Sequence, residues 1–190
     1  AIKPSGIPYG SLKVEDIPVV NLKGDLIIGK LKPSTDLKTH LEIYKNMKEA
    51  TGICHTHSKY ATIFCQAGKE IPCLGTTHAD YFFGKIPVTR PLKTNEIKNN
   101  YEENTGKVII ETYKRKKINA KDMPAVLVRS HAPFVIGNSA ENALENSVVL
   151  EEVAEMCFKS LMLNKKIKFD NKLLEKHFKR KHGPKKYYGQ

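Results

Sequence analysis

The 190-residue chain lacks the long apolar runs, paired cysteines and internal repeats that characterise several protein classes. No apolar run approaches the roughly 20 residues that cross a bilayer, and no signal peptide is visible, so we expect no membrane partner. Cys54, Cys65, Cys73 and Cys157 show no CxxC spacing, which indicates reduced thiols in a cytoplasmic protein. No linker divides the chain, and its length favours a single domain over residues 1–190.

Acidic residues are scarce relative to basic ones, and the net charge is +12. The tail at residues 164–190 holds ten Lys and Arg against Asp170 and Glu175, so it carries +8 of that charge. Such a balance raises nucleic-acid binding, but no RNP-like aromatic motif, KH loop or zinc-finger spacing supports it. We interpret the tail as a solvated, lysine-rich surface, with attraction to anionic sugar phosphates as a further interpretation, and expect no nucleic-acid partner.

Hydrophobic patterning predicts strands alternating with helices, which is typical of a layered α/β domain. Strands are predicted within 17–29 around a Lys23–Asp25 turn, in "GICHTH", in "IPVTRPL", and on both sides of His131. Helices are predicted at 33–47 with Ser34 or Thr35 as the cap, 58–67 ending at Gly68, 94–116, 140–163 after an Asn138–Glu141 capping box, and 171–182 ending at Gly183.

Two histidines stand two residues apart in "GICHTH". On a strand, residues i and i+2 point to the same face with Cα atoms about 6.5–7 Å apart, so His55 and His57 would project side by side. Two imidazoles at that separation can bind one ion, although a zinc site needs three or four ligands. The pair alone is therefore a weak indication of a metal.

Further candidate ligands lie elsewhere in the chain. His131 follows a predicted strand, Asp36 lies in the first turn of a predicted helix, and Asp80 lies in the Gly- and Thr-rich turn "GTTHADYF". Each also has an ordinary structural explanation: a hydrogen-bonded core histidine, a carboxylate at a helix dipole, and a turn residue. Three histidines with a carboxylate nearby are nonetheless the ligand set of a catalytic divalent metal.

Two echoing segments, "KPSG" and "KPST", each offer a lysine, hydroxyl groups and backbone N–H donors. The second opens a predicted helix, where free N–H groups and the helix dipole attract a phosphate. Ordinary helix capping uses the same geometry, and the sequence leaves the two interpretations open.

These stretches also resemble a known family. "GICHTHSKYATIFCQAG", "IPCLGTTHADYFFGKIPVTR", "KPSTD", "MPAVLVRSHAPFVIG" and the terminal "KHFKRKHGPKKYYGQ" resemble the L-ribulose-5-phosphate 4-epimerases of the class II aldolase/adducin superfamily, over essentially the whole chain. The resemblance implies a three-layer α/β/α sandwich on a mainly antiparallel central sheet. It also implies a homotetramer whose active sites lie between subunits, completed by the tail at 164–190.

The resemblance also implies roles for individual residues. Zn2+, or alternatively Mn2+ or Co2+, would be bound by His55, His57 and His131, with Asp36 as a ligand or support. Asp80 and Tyr188 would be the two acid–base groups, with Tyr188 reaching a neighbouring subunit's site.

The remaining implied residues hold the substrate or lie near the site. Those assigned to the phosphate are Lys3, Ser5, Gly6, Ser34 and Thr35, and those placed near the site are Glu102 and His177. The family pattern begins with a helix and a first strand that this sequence, starting at Ala1, does not include. Either the sequence is a piece of a longer protein, which we favour because the implied metal and acid–base residues are all present, or the protein lacks this element.

The implied reaction interconverts L-ribulose 5-phosphate and D-xylulose 5-phosphate by retro-aldol cleavage and re-formation of one C–C bond. It would serve arabinose or ascorbate catabolism. One alternative is a class II sugar-phosphate aldolase, which typically carries Glu where this chain has Asp36. The other is a non-catalytic adducin-like scaffold, in which loss of the metal histidines would be expected.

Overall fold

The computed structural model describes residues 1–188, so Gly189 and Gln190 of the predicted tail lie outside the described residues. Contacts divide the chain into two compact units, Ala1–Lys48 with Leu92–Ile110, and Glu49–Pro91 with Glu111–Gln190. Within the described part, no helix combines the length and the apolar composition that a membrane-spanning segment requires.

The first unit contains a small antiparallel hairpin and mostly short helices. Two 3₁₀ turns, Tyr9–Ser11 and Val14–Asp16, precede β1 (Val19–Val20) and β2 (Leu26–Ile28), and α1 (Leu37–Asn46) follows. The predicted turn between the strands is confirmed, with Gly24 at φ +96°, a conformation that favours glycine. Later in the chain come α4 (Thr94–Lys98) and the start of α5 (Tyr101–Lys116).

Two predictions for the first unit were wrong. The expected helix at 94–116 is broken at Asn99 and Asn100, where Asn100 adopts φ +54°, a conformation that asparagine tolerates better than most residues. The cap of α1 is Asp36 rather than Ser34 or Thr35, although the Ser34 hydroxyl accepts a hydrogen bond from the Asp36 amide at 3.2 Å.

The second unit is built on a three-stranded antiparallel sheet of order β3–β5–β4. Its strands are β3 (Gly52–His55), β4 (Ala125–Leu127) and β5 (Pro133–Gly137). Its helices are α2 (Lys59–Ala67), α3 (Thr76–Tyr81), the end of α5, α6 (Ala140–Leu163) and α7 (Asn171–His182). The predicted alternation of antiparallel strands and helices is confirmed, including the end of α2 at Gly68, which adopts φ +62°.

The core of this unit lies between one sheet face and the helices α2 and α6. Its buried side chains include Ala61, Phe64 and Cys65 of α2, Leu150, Val153 and Ala154 of α6, and Ala125, Leu127 and Val135 of the sheet. The start of α6 lies directly against the strand ends, because a Cβ at Gly52 or Gly137 would come within 2.2 or 2.3 Å of its backbone atoms. These two glycines therefore set how close α6 approaches the sheet.

Three further predictions for this unit were wrong. "IPVTRPL" forms isolated bridges at Ile86 and Val88 rather than a regular strand within the described residues, since Pro87 and Pro91 cannot donate to a ladder. The cap of α6 is Ser139, whose hydroxyl accepts the Asn142 amide hydrogen bond at 3.1 Å, rather than Asn138. Asp80 lies in the helix α3 instead of a turn.

Candidate metal centre and acid–base cluster

The three predicted histidine ligands meet at one end of the β3–β5 pair. His55 ends β3 opposite Phe134, His57 follows two residues later, and His131 lies just before β5. A tight turn places His131, with Ser130 at φ +61° and the His131 amide donating to the Val128 carbonyl at 3.0 Å. Antiparallel pairing therefore brings together residues that lie far apart in the chain.

The three imidazole rings form a nearly equilateral group. Their centroids are 5.1 Å apart for His55 and His57, and 5.0 Å apart for each of the other two pairs. One candidate ligand nitrogen from each ring lies within 4.8 Å of the others. Nitrogens bound tetrahedrally to one zinc ion are about 3.4 Å apart, so a small inward movement of the rings would suit such an ion.

His55 is held in one orientation by its surroundings. Its Nδ1 lies 2.9 Å from the Pro133 carbonyl oxygen, which can only accept, so Nδ1 carries the proton and Nε2 presents its lone pair. The ring also stacks on Phe134 with centroids 4.0 Å apart and planes 12° apart. A fixed tautomer of this kind is typical of metal-binding histidines.

A carboxylate that was not predicted from the sequence supports the start of α2, just after the histidine pair. Glu151 of α6 accepts the backbone N–H groups of Tyr60 and Ala61 at 2.7 and 3.0 Å. It therefore caps α2, a position where Ser58 makes no side-chain cap bond. A glutamate 90 residues away gives no local signal of this role.

Asp80 forms a second group of polar residues, held by the C-terminal helix. Its carboxylate accepts hydrogen bonds from Arg180 Nε at 3.2 Å, Arg180 Nη2 at 2.9 Å and His177 Nδ1 at 3.1 Å. Its backbone carbonyl accepts from His182 Nε2 at 2.7 Å. With Tyr188, these residues are called the acid–base cluster below: Asp80, His177, Arg180, His182 and Tyr188.

Tyr188 joins this cluster through Arg180 of its own chain. The backbone N–H groups of Tyr187 and Tyr188 both donate to the Arg180 carbonyl, at 2.9 and 3.2 Å. The Tyr188 ring centroid lies 4.4 Å from the guanidinium carbon of Arg180, and half of Tyr188 is exposed. Asp80, His177 and Tyr188 were predicted from the sequence, whereas Arg180 and His182 were missed.

A neighbouring set of contacts fastens α7 to α3 and α6. Lys181 Nζ stands 3.3 Å from the Tyr81 ring centroid, and the Tyr81 hydroxyl donates to Glu145 Oε1 at 2.9 Å. Burial and the Glu145 carboxylate raise the pKa of Tyr81 to about 12, and burial lowers the pKa of Lys181 below its usual value. Tyr81 therefore remains a neutral donor at physiological pH.

One member of the acid–base cluster, His182, lies near the end of the β3–β5 pair that is remote from His55. Tyr81 and His182 line a cavity together with Gly137 and Asn138, and Gly137 pairs with Gly52 at the start of β3. The strand from Gly52 to His55 extends about 10 Å at roughly 3.3 Å per residue. The structure thus assembles two separate groups, the three histidines and the acid–base cluster.

The residues predicted to hold a phosphate belong to the first unit. The two echoing segments pair through a Pro4–Pro33 bridge, with the Ser5 amide donating to the Lys32 carbonyl and the Ser34 amide donating to the Lys3 carbonyl, both at 3.0 Å. Gly6 adopts φ +76°. Lys3 Nζ donates to the Ile7 carbonyl at 2.6 Å, so this ammonium is engaged by its own loop.

Asp36 and Glu102 also belong to the first unit. Asp36 begins α1, and the Glu102 carbonyl at the start of α5 accepts the Thr39 hydroxyl hydrogen bond at 2.6 Å. Their predicted roles beside a metal or a substrate, together with that of Thr35, stay predictions.

Comparison with known proteins supports the fold. The family model for the class II aldolase and adducin N-terminal domain matches residues 1–158. An L-fuculose 1-phosphate aldolase superposes with a TM-score of 0.76 at 20% identity, over 94% of this chain and 77% of that one. The L-fuculose-1-phosphate aldolase of Thermus thermophilus gives 0.65 at 23% identity, over 86% and 79%.

A third similar structure is the YgbL protein of Klebsiella pneumoniae, with a TM-score of 0.65 at 25% identity, over 92% of this chain and 79% of that one. These likenesses confirm the predicted class II aldolase-like α/β fold with antiparallel strands. Because the family model spans most of the sequence, the chain belongs to the class II aldolase and adducin family.

Proposed function

We propose that this protein is a metal-dependent L-ribulose-5-phosphate 4-epimerase, which interconverts L-ribulose 5-phosphate and D-xylulose 5-phosphate. It would act in the cytoplasm as a homo-oligomer, most simply a tetramer. The proposal rests on the long sequence resemblance in "HADYF" and "YYGQ" together with the histidine group. The observation that carries it is the convergence of three imidazoles with His55 fixed in one tautomer.

The histidine nitrogens suit a borderline divalent cation such as Zn2+, while Mn2+ and Co2+ accept the same ligands. His55, His57 and His131 would hold it, and Asp36 is a further proposed ligand or support. A bound ion would supply Lewis acidity to the C2 carbonyl and C3 hydroxyl of the ketose. Lys3, Ser5, Gly6, Ser34 and Thr35 are proposed to hold the substrate's phosphate.

The proposed reaction explains the need for two proton-handling groups. C4 carries no acidic C–H, so inversion there proceeds by removing the C4 hydroxyl proton and breaking the C3–C4 bond, whose electron pair stays on the three-carbon fragment as the enediolate of dihydroxyacetone. The two-carbon aldehyde, glycolaldehyde phosphate, turns and presents its other face, and the same bond re-forms. One of Asp80 and Tyr188 removes the proton, and the other returns it on the opposite face. His177, whose Nδ1–H donates to Asp80, would hold that carboxylate in place.

The placement of the two residue groups supports active sites shared between subunits. Within one chain His182 of the acid–base cluster lies near the end of β3–β5 that is remote from His55. Proton transfer requires contact at hydrogen-bond distance. We therefore infer that a neighbouring subunit brings its acid–base cluster, including the C-terminal helix, to the histidine group.

A class II aldolase acting on a related sugar phosphate is the second candidate. The structures named L-fuculose 1-phosphate aldolase favour it, and YgbL has been suggested as an aldolase, epimerase or decarboxylase. Such aldolases typically carry Glu at the position of Asp36, which favours the epimerase here. An adducin-like scaffold is disfavoured because all three histidines are present and converge.

The deciding experiment incubates protein loaded with Zn2+, Mn2+ or Co2+ with L-ribulose 5-phosphate and follows the products by NMR. Formation of D-xylulose 5-phosphate supports the epimerase, whereas net release of free dihydroxyacetone supports the aldolase. Absence of both products with every metal would overturn the proposal.

Two histidine variants, one within the group of three and one outside it, test the metal centre. His55→Asn should lose bound metal, measured by elemental analysis, and lose turnover with it. His78→Gln changes a histidine outside the group and should keep its metal. Unchanged metal content and activity in His55→Asn would show that the three histidines bind no catalytic ion.

A further inference from the structure

Arg180 contacts both of the residues proposed to handle protons. Its Nε and Nη2 donate to the two carboxylate oxygens of Asp80, at 3.2 and 2.9 Å. The guanidinium also faces the Tyr188 ring, whose centroid is 4.4 Å from the central carbon. One side chain thus contacts both proposed acid–base groups.

The Arg180–Asp80 contact differs from an ordinary surface ion pair. The two side chains are only 23% and 13% exposed, and the planar guanidinium engages both carboxylate oxygens. A two-point contact fixes the orientation as well as the distance of the carboxylate, which a lysine ammonium cannot do. The α3 and α7 helices are therefore locked together at Asp80.

The backbone of Arg180 also sets the course of the chain after α7. Its carbonyl accepts the N–H groups of both Tyr187 and Tyr188, so the segment following Pro184 folds back onto α7. Lys176 Nζ lies 5.4 Å from the Tyr187 ring centroid and adds a second contact between segment and helix. Arg180 therefore contacts Asp80 and the Tyr188 ring through its side chain, and it binds the Tyr187 and Tyr188 amides through its backbone carbonyl.

We propose that Arg180 is a positioning residue, which holds Asp80 and Tyr188 at a fixed separation so that they enter the active site as one preassembled unit. This inference rests on the proposed function of the two residues. It assigns Arg180 no contact with the substrate. It explains how a half-exposed tyrosine beyond the end of α7 is held in place well enough to act.

The inference predicts a specific kinetic defect. Displacing a catalytic group by about 1 Å can lower turnover about 100-fold without affecting substrate binding. Arg180→Gln should therefore lower kcat about 100-fold with KM changed less than about threefold, and Arg180→Lys, which keeps the charge without the fork, should lower kcat about 10-fold. Arg180 acting on substrate binding would raise KM instead.

The closing experiment pairs these kinetics with hydrogen exchange at the Tyr187 and Tyr188 amides, followed by mass spectrometry on the full chain. Arg180→Gln should speed exchange at these two amides, while peptides from the β3–β5 sheet stay protected. Lys179→Gln is the control, because Lys179 lies next to Arg180 and pairs with Glu175 on the same helix. It should change neither exchange nor kcat.

The results of these experiments distinguish the positioning role of Arg180 from the proposed epimerase function. Unaltered exchange in Arg180→Gln, or a kcat equal to that of wild type, overturns the positioning role. Faster exchange in Arg180→Gln with an inactive wild-type protein overturns the proposed epimerase function, while the exchange result supports Arg180 as the residue that orders Tyr188.

Discussion

At the residue scale, the histidines differ in their surroundings, and these decide what each of them can do. His55, His57 and His131 converge as a group, and His177 and His182 bind Asp80. His78, within α3, is only 3% exposed, and its Nε2–H donates to the Gly84 carbonyl at 2.7 Å. Burial lowers the pKa of His78 to about 4, so this ring stays neutral in the folded protein.

His78 should therefore contribute to acid sensitivity. In the unfolded chain it takes up a proton near its ordinary pKa of 6.5, whereas the folded chain resists protonation until about 4. The stability it provides is thus present above pH 6.5 and is lost as the pH falls towards 4, with a loss of about 2 kcal/mol at pH 5.

Urea unfolding of wild type and His78→Gln at about pH 7 and about pH 5 tests this. Glutamine can still donate to the Gly84 carbonyl but does not titrate, so the variant should lose about 2 kcal/mol less than wild type over that interval. Equal losses in the two proteins would show that His78 is not the titrating group.

At the element scale, helix ends are stabilised by partners far away in the sequence. Ser58 precedes α2 but makes no side-chain cap bond, and the carboxylate of Glu151 satisfies the free N–H groups of Tyr60 and Ala61. Negative charge at a helix N-terminus adds favourable interaction with the helix dipole. This contact joins α6 to α2, the helix that follows His55 and His57 in the chain.

Replacing Glu151 should destabilise the N-terminal end of α2. Glu151→Gln keeps the size of the side chain but removes the charge and one of the two acceptor oxygens, and we expect a loss of about 1–2 kcal/mol in the free energy of unfolding. Glu152→Gln removes the same charge from the exposed neighbouring position and should cost under about 0.5 kcal/mol. Equal effects in thermal or urea unfolding would mean that the cap contributes only through net charge.

At the scale of the whole molecule, the second unit holds two chemically complementary groups, the three histidines and the acid–base cluster. His182 of the cluster lies near the end of β3–β5 that is remote from His55. A closed ring of identical subunits can join them, because each interface in such a ring pairs different surfaces of neighbouring copies. Activity would then belong to the assembly rather than to a single chain.

Complementation between inactive variants tests this arrangement. Co-expressed His55→Asn and Asp80→Asn chains that mix at random should place intact histidines opposite an intact Asp80 in about one site in four, giving about a quarter of wild-type activity. Each variant alone should be nearly inactive. If native mass spectrometry shows mixed oligomers and activity stays at the level of the single variants, each active site lies within one chain.

Much of the local structure was predictable because short-range rules govern it. The hairpin turn at Gly24, the end of α2 at Gly68 and the strands around His131 follow from turn chemistry and from side-chain periodicity. The wrong cap predictions arose where several neighbouring residues could each begin the helix. Asn138, Ser139, Ser34, Thr35 and Asp36 are all good capping residues, and sequence pattern cannot decide which one adopts the cap geometry.

The sequence alone determined the layered α/β class, the projection of His55 and His57 to one side, and the resemblance that pointed to the antiparallel sheet, Asp80 and Tyr188. Only the tertiary structure decided that Arg180 and His177 hold Asp80, since those residues are 100 and 97 positions away in the chain. Hydrophobic periodicity and helix capping act over a few residues. The partners of the Asp80 carboxylate depend instead on how α7 packs against α3. The same packing places His182 near the end of β3–β5 that is remote from His55.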